Sequence, residues 1–75
     1  MKVSEIKVGH VYSNGRSGSM RMEREILDTW YTYNGERKDY VKCKIVYVNS
    51  EVRDDIIPYT ILKKSFARWA KEDVT

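Results

Sequence analysis

The amino-acid sequence predicts a mainly β domain of the α+β class. We expect a small, strongly twisted antiparallel sheet, or a partly open barrel of SH3-like type, closed by one C-terminal amphipathic helix. Three observations predict this class. Asn34-Gly35, a strong hairpin signal, separates two segments rich in β-forming residues. Residues 36–48 alternate apolar and polar side chains. After Pro58 the apolar spacing becomes that of a helix.

Length and composition bound the domain organisation. The chain has 75 residues, of which 41% are apolar and 33% are charged. This predicts a single globular domain over residues 1–75. No apolar run reaches the roughly 20 residues of a membrane span, and the first residues lack the apolar core of a signal peptide. We therefore expect a cytoplasmic protein that does not contact a membrane.

A short strand and a polar loop come first. Residues 8–12 are expected to form the strand, and residues 13–21, SNGRSGSMR, the connection that follows it. The two glycines of this loop are not followed by a lysine or by a predicted helix, so it does not match a phosphate-binding loop. Two interpretations stay open: a plain connection, or a loop whose Arg16 and Arg21 contact a partner.

A long hairpin is predicted next, and its register follows from the turn. A two-residue turn at 34–35 pairs residue 33 with residue 36 and places Ile26 opposite Cys43. It also brings charged residues onto the apolar face, so a bulge that shifts the pairing is an open alternative. The same register places Glu25 opposite Lys44, Leu27 opposite Lys42, and Arg24 and Asp28 on the apolar face.

The last third of the chain predicts a turn, a short strand and a helix. Residues 49–55 are polar, and residues 56–59 form a strand that Pro58 confines to an edge or an end. Thr60 is the expected N-cap of a helix of about three turns. The apolar stripe of this helix consists of Leu62, Phe66 and Trp69, flanked by Ser65 and Ala70.

No pattern in the sequence indicates catalysis. Cys43 is the only cysteine and lies on the apolar side of a strand, where it acts as a small hydrophobic residue. His10 is the only histidine, so a Cys43–His10 dyad is the one nucleophile–base pair available. One histidine and one cysteine are a poor set of metal ligands. We expect no enzyme, no cofactor and no metal site.

Basic and aromatic residues favour a binding function. The exposed face of the helix is expected to carry Lys63, Lys64, Arg68 and Lys71. The outer face of the hairpin is expected to carry Lys42 and Lys44, with Tyr31, Tyr33 and Tyr40 beside them. Aromatic side chains next to basic ones suit single-stranded nucleic acid. The same pattern also suits a solvated face or a protein contact surface.

Three segments of the chain resemble a group of known proteins. VGHVY at 8–12, REILD at 24–28 and KSFARWA at 64–70 are together similar to short proteins encoded in phages and prophages of Gram-positive bacteria. The matched positions contain no catalytic signature. The resemblance implies a small accessory viral protein that engages host machinery and would act in the host cytoplasm.

Two functions from different classes follow. The first is a non-catalytic protein-interaction or inhibitor module that grips a host protein through an aromatic patch or an exposed strand edge. The second is a nucleic-acid-binding small β-barrel that uses the basic helix face and the hairpin. The low net charge of +3 favours the first. A homodimer formed through an edge strand is a further option.

Overall fold

The computed structural model describes all residues, 1–75. Antiparallel strands make up 45% of the chain, and their sheet curls into a half-barrel with one C-terminal helix. This confirms the predicted fold class. The strands and helix are β1 Val11–Ser13, β2 Glu23–Tyr33, β3 Arg37–Val48, β4 Glu51–Val52, β5 Tyr59–Leu62, α1 Lys63–Trp69 and β6 Glu72–Asp73. Short 3-10 turns lie at Val3–Glu5 and Gly18–Met20.

The strand order is β4-β3-β2-β1-β6, and β5 also pairs with β3. The second edge of β3 is therefore shared: β5 pairs with its residues 40–43 and β4 with Tyr47 and Val48. The predicted sheet is confirmed, but β4 and β6, each two residues long, were not foreseen. Segments this short carry no alternating pattern, so only their partners in the sheet define them as strands.

The core fills the concave side of the half-barrel against the helix. Tyr12 is fully buried, and its ring meets Phe66 of the helix edge-on at 5.6 Å between centroids. The Tyr12 hydroxyl donates to the Glu5 carbonyl oxygen and accepts from the Lys7 amide, so its polar atom is satisfied inside the core. The other buried apolar residues are Ile6, Ile26, Val41, Cys43, Ala67 and Ala70.

The β2–β3 register is the predicted one over residues 24–26 and is shifted by one residue on both sides of them. Ile26 lies opposite Cys43, and Glu25 lies opposite Lys44, as expected. Toward the turn, however, Tyr33 pairs with Arg37 and not with residue 36, so the loop has one more residue than predicted.

Two one-residue changes account for this register. Gly35 has a φ of 74°, but Asn34 does not adopt the positive φ that the predicted type I′ turn requires. The loop therefore extends by one residue. Leu27, between Ile26 and Asp28, is the extra residue of a bulge that absorbs the shift, so the prediction that it lies opposite Lys42 was wrong.

A two-residue turn of the expected kind occurs instead at Asn49-Ser50. Both residues have positive φ, 54° and 62°. They join Val48 to Glu51, the pair that opens β4. The predicted polar turn over 49–55 is therefore correct at Asn49-Ser50 and wrong at Glu51 and Val52, which form β4.

The helix is shorter than predicted. Thr60 is not an N-cap but lies in β5 opposite Lys42, because the free edge of β3 recruits Thr60–Leu62 as a strand. The helix then runs over only seven residues, and its N-cap Leu62 makes no side-chain capping bond. The predicted strand at 56–59 was likewise wrong, since only Tyr59 belongs to β5.

The first strand is displaced toward the C-terminus. The prediction placed it at residues 8–12, but Gly9 adopts a φ of 84° and the strand begins at Val11. The backbone of Gly9 still contacts β2, since its amide donates to the Ile26 carbonyl oxygen. Strand β6 pairs with the outer edge of β1 and so places the C-terminus beside the first strand.

Candidate interaction surface

The distal half of the β2–β3 hairpin extends beyond the core as an arm, which we define as residues 28–40. The molecule measures 43 × 24 × 17 Å along its principal axes, so it is elongated. Strand β1 covers only residues 23–25 of β2, and β5 reaches only to Tyr40 of β3. Apart from Tyr40, which pairs with Leu62, both edges of the arm are therefore without a strand partner.

The concave face of the arm carries two exposed tyrosines. Because of the bulge, Tyr31 and Tyr33 lie opposite Asp39 and Arg37, on the same side of the sheet as buried Val41. The predicted grouping of Tyr31 and Tyr33 with Tyr40 on the outer face was therefore wrong. Tyr31 is 59% exposed and Tyr33 is 73% exposed.

A cation–π contact links the two strands of this face. The Arg37 guanidinium carbon lies 4.1 Å from the centroid of the Tyr31 ring. An Arg37 Nη atom also lies 3.1 Å from Asp39 Oδ1, and this hydrogen bond raises the pKa of the guanidinium. The contact places one aromatic ring next to one cation on the exposed face of the arm.

A cavity of about 320 Å³ lies between the end of the arm and the start of the helix. It opens where β5 leaves the edge of β3. Arg37, Lys38 and Lys64 supply positive charge, while Val3 and Leu62 supply apolar walls. Glu36 and Asp39 complete the lining. We call this cavity together with Tyr31 and Tyr33 the arm cleft.

The outer face of the arm has a different character. Trp30 lies opposite Tyr40, and their rings stack with centroids 5.9 Å apart. Trp30 remains 38% exposed. Lys42 is exposed on this face, whereas Lys44 is half-buried and lies 3.6 Å from a Glu25 carboxylate oxygen. Of the two predicted hairpin lysines, only Lys42 is therefore without an ion pair.

The basic residues of the helix are not a single stripe. Lys64 and Arg68 are exposed one turn apart on α1, but the helix ends at Trp69, so Lys71 lies beyond it. Lys71 Nζ instead donates to the Arg68 carbonyl oxygen at 3.1 Å, at the negative end of the helix. Lys63 is half-buried at the first helical position.

The loop of residues 13–21 is held in place by hydrogen bonds. Asn14 Oδ1 accepts from the amides of Arg16 and Met22, and Arg21 bridges Glu23 at 2.7 Å and Glu72 at 3.0 Å. Arg21 is therefore used inside the structure. The side chain of Arg16 is exposed and has no ion pair.

Ser13 and β6 complete this network. Buried Ser13 Oγ donates to Glu72 Oε1 at 2.5 Å, and this bond, followed by that from Arg21, lowers the pKa of Glu72. His10 Nδ1 lies 2.7 Å from Asp73 Oδ2. The hydroxyl of Thr75 and then His10 lower the pKa of Asp73 to about 2. These contacts hold β6 against β1.

Arg24 was not selected from the sequence as a site residue, but its environment is unusual. It lies on the concave face of β2, as the predicted register implied, with its guanidinium carbon 4.2 Å from the Trp69 ring centroid and 5.6 Å from that of Tyr59. Its Nε is buried and makes no hydrogen bond within the chain. The two rings pack against this cation at the open side of the half-barrel.

Cys43 and His10 are not brought together. Cys43 is fully buried, and burial raises the pKa of its thiol. His10 bonds to the backbone of Ile26, which in turn lies opposite Cys43. Two strand spacings, about 10 Å, therefore separate the two backbones, and the His10 ring lies against Asp73 and not against Cys43.

No group of three histidine, cysteine, aspartate or glutamate residues is arranged to hold a metal ion. The one α-helix falls well short of the length and apolar character that a membrane crossing requires. No protein-family model, curated protein or solved structure matches this chain.

Proposed function

We propose that this chain is a small, non-catalytic protein-interaction module that grips its partner with the arm. The observation that carries the proposal is the exposure of Tyr31 and Tyr33 on an arm whose β2 edge has no strand partner. Tyrosines are enriched where proteins bind one another, because the side chain offers a large apolar ring and a hydroxyl that forms hydrogen bonds. The resemblance to phage proteins makes a host protein the expected partner.

The chemistry of the arm cleft defines the partner further. Arg37, Lys38 and Lys64 surround it, and Lys38 and Lys64 have no ion pair within the chain. The tyrosines and the apolar walls at Val3 and Leu62 favour hydrophobic contacts. A segment that combines acidic with apolar side chains would fit both features. We infer that the chain acts as an inhibitor or an adaptor and does not itself catalyse a reaction.

The experiment is affinity capture from an extract of a Gram-positive bacterium, with three forms of the immobilised chain. The arm variant is Tyr31→Ala/Tyr33→Ala. The matched control is Val52→Ala/Ile57→Ala, since both residues are 83% exposed and lie outside the arm. A protein that the wild type and the control retain, and the arm variant loses, would support the proposal. Equal capture by all three forms, or capture of nothing, would overturn it.

A second candidate function is nucleic-acid binding, because the cations near α1 are free. Lys64, Arg68 and Lys71 form no ion pair with any carboxylate of the chain. A surface that neutralises phosphates binds less tightly as salt rises, because counterions are released on binding. Fluorescence anisotropy with labelled single- and double-stranded DNA and RNA at two salt concentrations measures this directly.

The variant for this test is Lys64→Glu/Arg68→Glu, and Lys2→Glu/Lys7→Glu is a control with the same net charge. Salt-sensitive binding that only the helix variant abolishes would support the nucleic-acid function. Binding that neither variant changes, or no binding at low salt, would exclude a phosphate contact at the helix. Because the capture experiment depends on tyrosines and this one on lysine and arginine, the two candidates give separate outcomes.

A further inference from the structure

The free edge of β2 offers backbone groups in a defined pattern. Within the arm, the Asn34 amide donates to the Glu36 carbonyl oxygen, so residue 34 directs its polar groups toward β3. In an antiparallel pair, alternate residues of one strand direct both groups to the same neighbour. Residues 28, 30 and 32 therefore also face β3. Their neighbours Thr29, Tyr31 and Tyr33 face away from it, toward the open edge.

A second observation agrees with this assignment. The Thr29 amide donates to its neighbour's carboxylate, Asp28 Oδ1, at 2.8 Å. An amide directed into the β2–β3 ladder would not be free to do so. Strand β1 pairs only with residues 23–25 of β2, so it does not cover this edge. The amides and carbonyls of Tyr31 and Tyr33 remain without a strand partner.

The edge is also poorly protected against association. Natural edge strands are usually guarded by lysines, prolines, bulges or short length. Residues 28–33, DTWYTY, contain a single charge, Asp28, and no proline. The Leu27 bulge lies at the inner end of this stretch and leaves the remaining residues in regular pairing with β3. A strand of this composition is a template for another strand.

We propose that this edge pairs with the same edge of a second copy of the chain, antiparallel and with a two-fold axis at Tyr31. The edge favours a second copy over an unrelated segment because its own pattern is self-complementary. With the axis at Tyr31, every outward-facing residue of one strand meets an outward-facing residue of the other. Tyr31 pairs with its own counterpart, and Thr29 pairs with the partner copy's Tyr33. The free backbone groups of Tyr31 and Tyr33 are then used, and the Thr29 amide exchanges its bond to Asp28 Oδ1 for one across the interface.

The side chains fit this register as well. Trp30 would lie beside Thr32 of the other copy, and Thr29 beside its Tyr33. Both are aromatic–β-branched pairs, which stabilise antiparallel sheets. The only charged residue of the edge, Asp28, would lie opposite neutral Asn34, so no like charges meet. A two-fold axis perpendicular to the sheet also keeps both concave faces on one side.

The resulting dimer would be small and concentration-dependent, because five residues of strand edge bury less surface than a standard stable interface of about 1,600 Å². Its sheet would continue through both copies. The two arm clefts would then lie on one common face, at opposite ends of a shared row of tyrosines. The dimer does not depend on the partner proposed above, since it uses the edge of the arm and not its face.

Sedimentation equilibrium of the full-length chain over a wide range of concentration tests the proposal. The wild type should change from monomer to dimer as concentration rises. Tyr31→Lys places two ammonium groups against each other at the axis and should weaken dimerisation by about tenfold or more. Tyr31→Asp should do the same with two carboxylates. An equimolar mixture of the two variants should recover the dimer, because lysine then lies opposite aspartate. Tyr31→Thr, which keeps a neutral β-forming residue, should remain dimeric.

A monomeric wild type at the highest concentration, or a mixture that stays monomeric while each variant is folded by circular dichroism, would overturn the proposal. A measurement on the wild type alone covers the case in which a variant fails to fold. Amide hydrogen exchange of Tyr31 and Tyr33 should slow as concentration rises, whereas that of Thr32, already bonded within the hairpin, should not change. Exchange that is independent of concentration at Tyr31 and Tyr33 would also overturn it.

Discussion

The same two strands, β2 and β3, build two very different regions of this molecule. On one side of the Leu27 bulge, Ile26 and Cys43 face each other in the core and are fully buried. On the other side, Tyr31 and Tyr33 occupy the continuation of the same face and are mostly exposed. The difference comes from what lies beneath: the helix and β1 cover the first region and end before the second.

This comparison shows that hydrophobic side chains in one sheet need not share one role. The core half stabilises the chain, whereas the arm half leaves aromatic area and backbone groups unused. A small domain buries a limited share of its surface on folding. The exposed arm adds little to that buried area, so the core half must contribute most of the free energy of folding. We expect substitutions in the two halves to differ sharply in their effect on stability.

The largest effect should come from truncating the centre of the core. Phe66→Ala removes a ring that contacts Tyr12 at 5.6 Å and Trp69 at 5.4 Å between centroids. It should lower the free energy of unfolding by about 3–5 kcal/mol. Tyr33→Ala in the arm should change it by less than about 0.5 kcal/mol. Urea denaturation of both variants measures the difference, and comparable losses would contradict the division into core and arm.

A smaller effect should follow from removing one buried hydroxyl. Tyr12→Phe keeps the ring but leaves the Lys7 amide and the Glu5 carbonyl oxygen without their partner. The free energy of unfolding should fall by about 1–2 kcal/mol. Tyr31→Phe in the arm, where the ring is 59% exposed, is the matched control and should be close to neutral. Thermal denaturation of the two variants should separate them, and equal melting temperatures would argue against a structural role for the Tyr12 hydroxyl.

Two glycines, one in the loop of residues 13–21 and one in the arm, allow a further comparison. Gly15 and Gly35 both have a φ of 74°, so alanine is strained at either position by about 1 kcal/mol. A Cβ at Gly15 would also lie 2.9 Å from the Lys71 Cβ, whereas a Cβ at Gly35 meets nothing within 4 Å. Gly15→Ala should therefore destabilise the chain more than Gly35→Ala in parallel urea titrations. The reverse order would mean that the contact between the loop and Lys71 gives way easily.

The smallest effect should appear when the pH is lowered. The pKa of Asp73 is lowered to about 2 from its ordinary 3.8, and that of Glu72 is also lowered. Groups with a lowered pKa stabilise the fold above their unfolded pKa, and this contribution is lost as the pH falls through the folded value. Between about pH 4 and pH 2, β6 should therefore loosen from β1 before the core unfolds.

Amide exchange of Val74, whose amide donates to the Val11 carbonyl oxygen, reports this loosening. Asp73→Asn removes the titrating group, so the pH dependence of Val74 exchange should become shallower. An unchanged profile in that variant would show that Asp73 does not hold the C-terminal strand.

Several parts of the fold could be predicted because they depend on local patterns. The alternation of residues 36–48 defined β3, and the apolar and charge-complementary pairs at Ile26 and Glu25 were correct. The predicted turn was one residue too short. The bulge at Leu27 restores the predicted pairing at the point where the core begins to constrain it. Turn conformation depends on backbone angles that several sequences can adopt, whereas core pairs are selected by burial.

The candidate site was predictable only in part. Of the residues selected from the sequence, Lys64 lines the cavity, and Tyr31 contacts Arg37, another of its lining residues. Lys42 and Arg16 lie outside that cavity, and Lys44 and Arg21 are used in internal ion pairs. Val3 and Leu62 were missed because they are distant in sequence and carry no signal of their own.

By itself, the sequence determined the mainly β class, the hairpin and the amphipathic character of the last segment. Each of these depends on residues that are neighbours along the chain, where side-chain period and glycine placement act directly. Tertiary structure decided which residues of the predicted helix belong to β5 instead, which face the tyrosines occupy, and which edge of β2 stays open. These depend on long-range strand pairing and on a one-residue bulge, because a shift of one residue in a strand moves every following side chain to the other face.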